Sequence, residues 1–358
     1  MPLDHYVTLG RSGLRVSPLC LGAMTFGSEW GIGEGPESAV RLLDTYLDRG
    51  GNFIDTANIY NKGHSEKIIG DWWAGDRLKR DRLVLATKFC GNLFPDDPNG
   101  GGAGRKAIFR QCEDSLRRLK TDFIDLYWLH FHDVQTPIDE TMAALDRLVE
   151  SGKVRYLGFS DTPAWKVCQA QMLAQMQGRA PLVALQVEYS LLERTVEGEL
   201  VPMAKEMGLG ITPWSPLRGG ILSGKYTRSG GAALGRSAGK VALDEKGWKV
   251  VDEVLAVAGE ADCSPAQAAL AWVLARPGVT SPIVGARTVE QLKDNLGALK
   301  VTLTDDQIKR LDEASKPTLN FPHGFLSFIP TVIHGGLSVN GAQPQSWPNA
   351  PKSDAERY

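Results

Sequence analysis

Only five cysteines occur among the 358 residues. Cys20, Cys90, Cys112, Cys168 and Cys263 lie far apart and form no C-x-x-C pair. An odd, scattered set argues against a disulfide framework and for reduced thiols. Long hydrophobic runs are missing as well. No stretch of 18 or more apolar residues is present, so no membrane-spanning helix and no membrane partner are expected. The opening MPLDHYVTLG has no basic region followed by an apolar run, so no signal peptide is expected. Together these readings place the chain in the cytoplasm. Strong charge of either sign is also lacking, the formal net charge being −2. The densest basic cluster, Arg77, Lys79, Arg80 and Arg82, is diluted by Asp76 and Asp81 and reads as a solvated face. No nucleic-acid partner is expected. Internal repeats and low-complexity segments are absent.

What is present is an ordinary globular composition, 42% hydrophobic and 23% charged. Its length suits one large α/β domain or two ordinary ones. Tyr6–Leu21 alternates apolar and polar residues around Arg11–Gly13 and reads as a β-hairpin leading into a strand. Helix-length amphipathic segments then alternate with short apolar runs. The helices read as Ser38–Gly50, Ser65–Trp73, Lys106–Leu119, Pro137–Ser151, Pro163–Gln177, Leu200–Met207, Pro265–Arg276 and Thr288–Leu296. Between them lie strands Asn52–Asp55, Leu83–Thr87, Phe123–His130, Tyr156–Ser160, Val183–Glu188, Gly210–Trp214 and Thr280–Val284. With the strand around Leu19–Leu21 the count is eight. Such alternation means right-handed βαβ units and a parallel sheet. Eight units in roughly 300 residues fit a (β/α)₈ barrel, the alternative being an open doubly wound sheet. An extra helix is expected at Gly247–Ala261. The reading is one domain over 1–358, with a core at about 6–315. The remainder, 316–358, is expected to be an irregular extension over the barrel.

Active-site groups in such a barrel lie at the C-terminal ends of strands. Asp55, Lys88, His130 and Ser160 fall there, with Tyr60 in the loop after Asp55. A free tyrosine has a pKa of about 10 and is a poor proton donor or acceptor near neutrality. A nearby ammonium would lower that value, a carboxylate would hold the ammonium, and a histidine would orient a carbonyl oxygen. None of these groups is a good nucleophile here. No side chain carries reducing equivalents, so this combination requires a hydride cofactor.

These residues stand within motifs that resemble the aldo-keto reductase family. The motifs are Phe53-Ile-Asp-Thr-Ala-Asn-Ile-Tyr60 with Ser65-Glu66 and Gly70, Ala86-Thr-Lys88, and Asp125-Leu-Tyr-Trp-Leu-His130. Gly152-Lys-Val-Arg-Tyr-Leu-Gly-Phe-Ser160, Gln186-Val-Glu-Tyr-Ser190 and Ile283-Val-Gly-Ala-Arg-Thr288 follow in order. The likeness runs from about Tyr6 to Leu311 and is of the bacterial kind related to the potassium-channel β-subunit branch. It implies a (β/α)₈ barrel and reversible, NADPH-dependent reduction of an aldehyde or ketone to an alcohol. Asp55, Tyr60, Lys88 and His130 would be the catalytic tetrad, with Tyr60 as general acid. Ser160 and Gln186 would hold the nicotinamide carboxamide, and Trp214 would stack on its ring. Ser215, Pro216, Leu217, Gly219, Leu222 and Lys225 would lie over the pyrophosphate. Gly285, Ala286, Arg287, Gln291, Asp294 and Asn295 would serve the adenosine end, and Ala23 and Met24 the ribose and nicotinamide. Arg287 suits a 2′-phosphate, hence NADPH over NADH. Two departures stand out. Asp161 follows Ser160 where the family usually has asparagine, which puts the carboxamide contact in doubt. Gly285 stands where some members carry lysine.

Other signals point elsewhere. Gly102-Ala-Gly104-Arg-Lys-Ala107 matches a loose dinucleotide-binding pattern, but the irregular loop Gly91–Gly101 stands where a strand is needed. That loop reads as a flap beside the pocket. His130-Phe-His132-Asp133 invites a metal reading, but His5, His64, His323 and His334 are not at strand ends, so no metal is expected. A regulatory NADPH-binding subunit with little turnover is the alternative function. Substrate choice lies in the loops. Trp30, Phe89, Tyr60 and His130 are candidate substrate contacts. Asn92, Phe94, His132 and Tyr189 are further lining candidates, and the tail around Phe321–Phe328 is a candidate cover. The substrate is expected to be a fairly apolar small-molecule carbonyl compound or alcohol. Its identity, the physiological direction and the oligomeric state stay open.

Overall fold

The computed structural model describes residues 1–228 and 243–357. Two compact units divide the chain, Met1–Lys316 and Pro317–Tyr358, and each is taken by itself.

The first unit opens with the expected antiparallel hairpin, β1 (Val7–Thr8) and β2 (Arg15–Val16). Eight parallel strands follow: β3 (Cys20–Gly22), β4 (Phe53–Asp55), β5 (Val84–Phe89), β6 (Ile124–Leu129), β7 (Val154–Ser160), β8 (Leu182–Glu188), β9 (Gly210–Trp214) and β10 (Ile283–Val284). Their order is β10-β3-β4-β5-β6-β7-β8-β9. A bridge from Ile211 of β9 to Val279, just before β10, brings the two edges together. The result is a nearly closed (β/α)₈ barrel. Helices cover it, among them Pro36–Asp48, Arg105–Leu119, Ile138–Glu150 and Pro265–Leu274. The strands read as apolar runs because both faces are buried, one by the barrel interior and one by helices.

Strand alternation sorts those residues. Phe53, Val84, Ala86, Leu126, Trp128, Val183 and Ala184 form an inner cluster. Leu9, Leu14 and Val16 of the hairpin join it from below the strand starts. The hairpin thereby plugs the N-terminal end of the barrel, and Arg11 N donates to Gly208 O at 2.8 Å to tie it there. Gly158 faces the Trp128 ring, where a Cβ would come within 2.3 Å of it. A glycine is therefore required for that indole to fill the barrel.

Several readings need correction. The basic cluster at 77–82 is not wholly a solvated face. Asp76 caps a short helix, Arg77–Asp81, and Arg80 is buried against Asp125 at 2.8 Å. Arg80 also donates to Phe123 O at 2.8 Å. A helix unassigned in the sequence reading, Asp305–Ala314, is started by a capping box of Thr304 and Gln307. The extension is not without regular structure: the second unit contains short helices His323–Leu326 and Ile329–His334. No helix among the described residues is long and apolar enough to cross a membrane.

Candidate active site

Lys88 is the centre of the site. It points inward from β5, fully buried, two residues after inward Ala86. Its Nζ donates to Asp55 Oδ2 at 2.7 Å, to Thr56 O at 2.8 Å and to Tyr60 Oη at 3.1 Å. With Asp55 Oδ1 also at 2.5 Å, these three partners take up all three ammonium protons. Asp55 stands at the end of β4, buried, and Gln186 Nε2 of β8 donates to its Oδ1 at 3.2 Å.

Tyr60 begins a short 3₁₀ turn, Tyr60–Gly63, in which Asn61 and Lys62 have φ of 46° and 57°. Asparagine tolerates this left-handed conformation better than most residues. Asn61 Nδ2 donates to Met24 O and Phe26 O at 2.9 and 3.0 Å, while Oδ1 accepts from Trp30 N at 3.1 Å. Asn58 Nδ2 donates to Gly91 O at 2.8 Å and to Gln111 Oε1 at 3.0 Å. The loop that presents the phenol is therefore held on both sides. Asn61, Asn58 and Gln111 were missed in the sequence reading; asparagine ahead of Lys-Gly was the signal for the turn.

Burial governs the titration of the group. It pushes the Tyr60 phenol above its ordinary value, and the Lys88 ammonium only partly opposes this. The expected lowering of that pKa is thus reversed in the structure. Lys88 stays above the usual lysine range, the Asp55 and Tyr60 partners outweighing burial. Asp55 is raised by burial, opposed by Lys88 and Gln186. His130 follows β6, with its ring edge-on to Tyr60 at 5.6 Å. Burial and the Lys88 charge depress its pKa to about 2, so the imidazole is neutral. Its Nδ1 is buried with no partner.

A cavity of about 480 Å³ opens beside these groups. Along it stand Ala23, Met24, Trp30, Asp55, Tyr60, His130, Ser160, Asp161, Gln186 and Trp214. It continues past Ser215, Pro216, Leu217, Gly219 and Lys225 to Gly285, Ala286, Arg287, Gln291, Asp294 and Asn295. The segment after β9 turns sharply, with Ser215, Arg218, Gly219 and Gly220 all at positive φ. Ile32, Ile59, Phe131 and Tyr226 also border the cavity and were missed; the buried Tyr226 hydroxyl has no hydrogen-bond partner among the described residues. Arg287 makes no ion pair among the described residues, and its backbone N–H is held by Gln291 Oε1 at 2.9 Å. Asp161 Oδ1 accepts from Trp214 Nε1 at 2.9 Å.

Some candidates lie elsewhere. Lys88 is behind Tyr60, within the wall. Leu222 is buried in the helix layer rather than on the cavity. Phe89 is likewise turned outward, because strand alternation sends it opposite to Lys88, and it packs on Tyr127 at 4.9 Å. Phe94 lies under the Arg110 guanidinium at 4.0 Å, Asn92 bonds within its own loop, and Tyr189 Oη donates to Glu197 at 2.7 Å. His132 sits edge-on to Trp165. Asp133 beside it accepts from Ala103 N at 2.9 Å, and Glu140 accepts from Arg105 N at 2.8 Å. Carboxylates thus occupy two N–H groups at the Gly102–Ala107 segment that a pyrophosphate would need. No three His, Cys, Asp or Glu side chains among the described residues are placed to share a metal ion.

Comparison with known proteins bears on this arrangement. The sequence model described as the Aldo/keto reductase family matches residues 18–316. Uncharacterized oxidoreductase YrpG of Bacillus subtilis (strain 168) is 43% identical over 318 residues, covering 86% of this chain and 95% of that one. An aryl-alcohol dehydrogenase of Pestalotiopsis microspora is 38% identical over 343 residues, with 94% and 88% covered. Aryl-alcohol dehydrogenase [NADP(+)] of Phanerodontia chrysosporium is 37% identical over 331 residues, with 87% and 86% covered.

Proposed function

The chain belongs to the aldo/keto reductase family of oxidoreductases, and on that premise we propose that it reduces an aldehyde or ketone reversibly with NADPH, Tyr60 giving the proton. The bond from Lys88 Nζ to Tyr60 Oη carries this reading. Because the phenol oxygen accepts there, its own proton is left to point at a substrate oxygen. A phenol held above its usual pKa stays protonated at neutral pH, as a donor must.

The other residues take defined parts. Asp55 keeps the ammonium charged and in place, and Gln186 steadies Asp55. Neutral His130 orients the carbonyl oxygen by a hydrogen bond rather than by charge. Proton donation of this kind is worth about 10²–10⁴ in rate.

The cavity suits a nicotinamide dinucleotide. It is long, and its walls pair the flat apolar face of Trp214 near Tyr60 with the cation of Arg287 farther along. Trp214 is the wall for the nicotinamide ring and Ser160 lies at its edge. Ser215, Pro216, Leu217, Gly219 and Lys225 serve the pyrophosphate, and Arg287, Gln291 and Asn295 the adenosine end. An unpaired guanidinium favours a 2′-phosphate, hence NADPH. When bound, the cofactor supplies the hydride that reaches the carbonyl carbon.

Trp30 stands edge-on to Tyr60 at 5.9 Å, and Ile32, Ile59 and Phe131 complete an apolar entrance. That lining, with the names of two relatives, makes aryl aldehydes and aryl ketones the favoured substrates. The test is NADPH consumption over a panel of aromatic and aliphatic carbonyls. Turnover of aryl members, abolished in Tyr60→Phe, supports the proposal; tight NADPH binding with no turnover of any member would favour a regulatory role.

A further inference from the structure

We propose that the Asp161 carboxylate biases the site toward the oxidised, cationic form of the nicotinamide, and so helps set which cofactor form binds tighter. The inference rests on the reading that the nicotinamide lies against Trp214.

The geometry fixes where this charge sits. Asp161 follows β7 with φ of +42°, and its side chain stands in the cavity wall. Its backbone N–H donates to Gln186 O at 3.1 Å and its carbonyl accepts from His132 N at 3.4 Å, so the residue is held at both ends. Oδ1 accepts from Trp214 Nε1 at 2.9 Å. The carboxylate therefore stands at the rim of the indole on which the ring would stack.

Among the described residues no cation pairs with it. Lys88 commits its three protons to Asp55, Thr56 and Tyr60. Arg218, on the loop after β9, is paired with Glu188. The side-chain partners of Asp161 are the neutral Trp214 and Ser160. The charged and titratable groups around it are Lys88, Glu188 and Tyr60, which lie on β5, β8 and the loop after β4, and His132 on the loop after β6. Burial is the largest influence and pushes the carboxyl up to about 6. Its edge is nevertheless open to the cavity, so solvent access and enclosure coexist at this residue.

A carboxylate on the cavity wall without a cation partner gains from any positive charge brought beside it, and more so once a bound ring displaces the water at its open edge. The reduced ring is neutral and the oxidised ring carries one positive charge. The two cofactor forms are otherwise nearly alike, so the carboxylate discriminates between them by charge. An asparagine would keep the bond from Trp214 and lose the discrimination.

The test measures Kd for NADP⁺ and for NADPH by titration calorimetry, on the wild type and on Asp161→Asn. At pH 8 the ratio Kd(NADP⁺)/Kd(NADPH) is expected to rise about tenfold in the variant, the size of one pKa unit of charge interaction. The Kd for NADPH should stay nearly unchanged. In the wild type the same ratio should climb as pH falls through about 6, while in the variant it stays flat. The 2′-phosphate titrates in that range too, but it is common to both forms and cancels in the ratio. An unchanged ratio, or equal weakening of both forms, would overturn the inference and leave the proposed function standing. A wild type that binds neither form would bring down both.

Discussion

Gln186 Nε2 donates to Asp55 Oδ1 at 3.2 Å, joining residues 131 positions apart. The amide nitrogen is thereby turned toward Asp55, and the amide oxygen is the group left free to meet a cofactor amide. Gln186→Glu would set carboxylate against carboxylate. Cofactor affinity at pH 8 should fall roughly tenfold or more and recover in part at pH 6, where one of the two holds a proton. Gln186→Ala should weaken binding without that recovery. Fluorescence titration at the two pH values separates the variants.

Tyr60→Phe removes the proton donor and leaves the ring packing. The expected loss in kcat is about 10²–10⁴, with NADPH affinity nearly unchanged. Because burial raises the phenol above its ordinary pKa, the wild-type rate of reduction should show no decline attributable to Tyr60 until the pH exceeds about 10. A pH profile at saturating substrate checks this.

His130 is neutral in the folded protein, with a pKa of about 2, and its ordinary value is 6.5. Between those values the unfolded chain binds the extra proton, so unfolding is favoured as pH falls. The stabilising contribution is fully present above about pH 6.5 and is lost on acidification, by up to about 1.4 kcal/mol per pH unit. His130→Gln should therefore lose less stability than wild type between pH 7 and pH 5. Urea unfolding at both pH values gives the comparison; an identical loss would mean that His130 already titrates normally.

Arg287→Ala removes the guanidinium assigned to the 2′-phosphate. kcat/KM for NADPH should fall about 10- to 100-fold, the range of one charge-assisted hydrogen bond, while that for NADH barely moves. Parallel loss with both cofactors would contradict the assignment.

Gly158→Ala pushes a methyl group into the Trp128 ring. Overpacking of this kind costs about 1–3 kcal/mol. The variant should unfold at lower urea, and Trp128→Phe in the same chain should restore part of the loss.

The barrel was legible in the sequence because buried parallel strands and amphipathic helices have different periods. Strand ends were legible too, which is why Asp55, Lys88, His130 and Ser160 could be placed together. What escaped depends on partners distant in sequence. Arg80 looks solvated until Asp125 is seen beside it, and Phe89 looks like a pocket residue until strand alternation is applied strictly. The direction of the Tyr60 shift also escaped, since an ammonium in the sequence is visible and burial is not. Apart from the bond between Asn58 and Gln111, the loop support from these residues and Asn61 consists of contacts to backbone, which leave almost no sequence trace.

The plugging hairpin has one more effect. With Leu9, Leu14 and Val16 stoppering the strand starts, the barrel is a blind well rather than a passage. Approach to the Tyr60 hydroxyl from the strand starts is closed by those side chains, so the floor of the fold, far from any group that does chemistry, confines whatever meets that hydroxyl to the side of the strand ends.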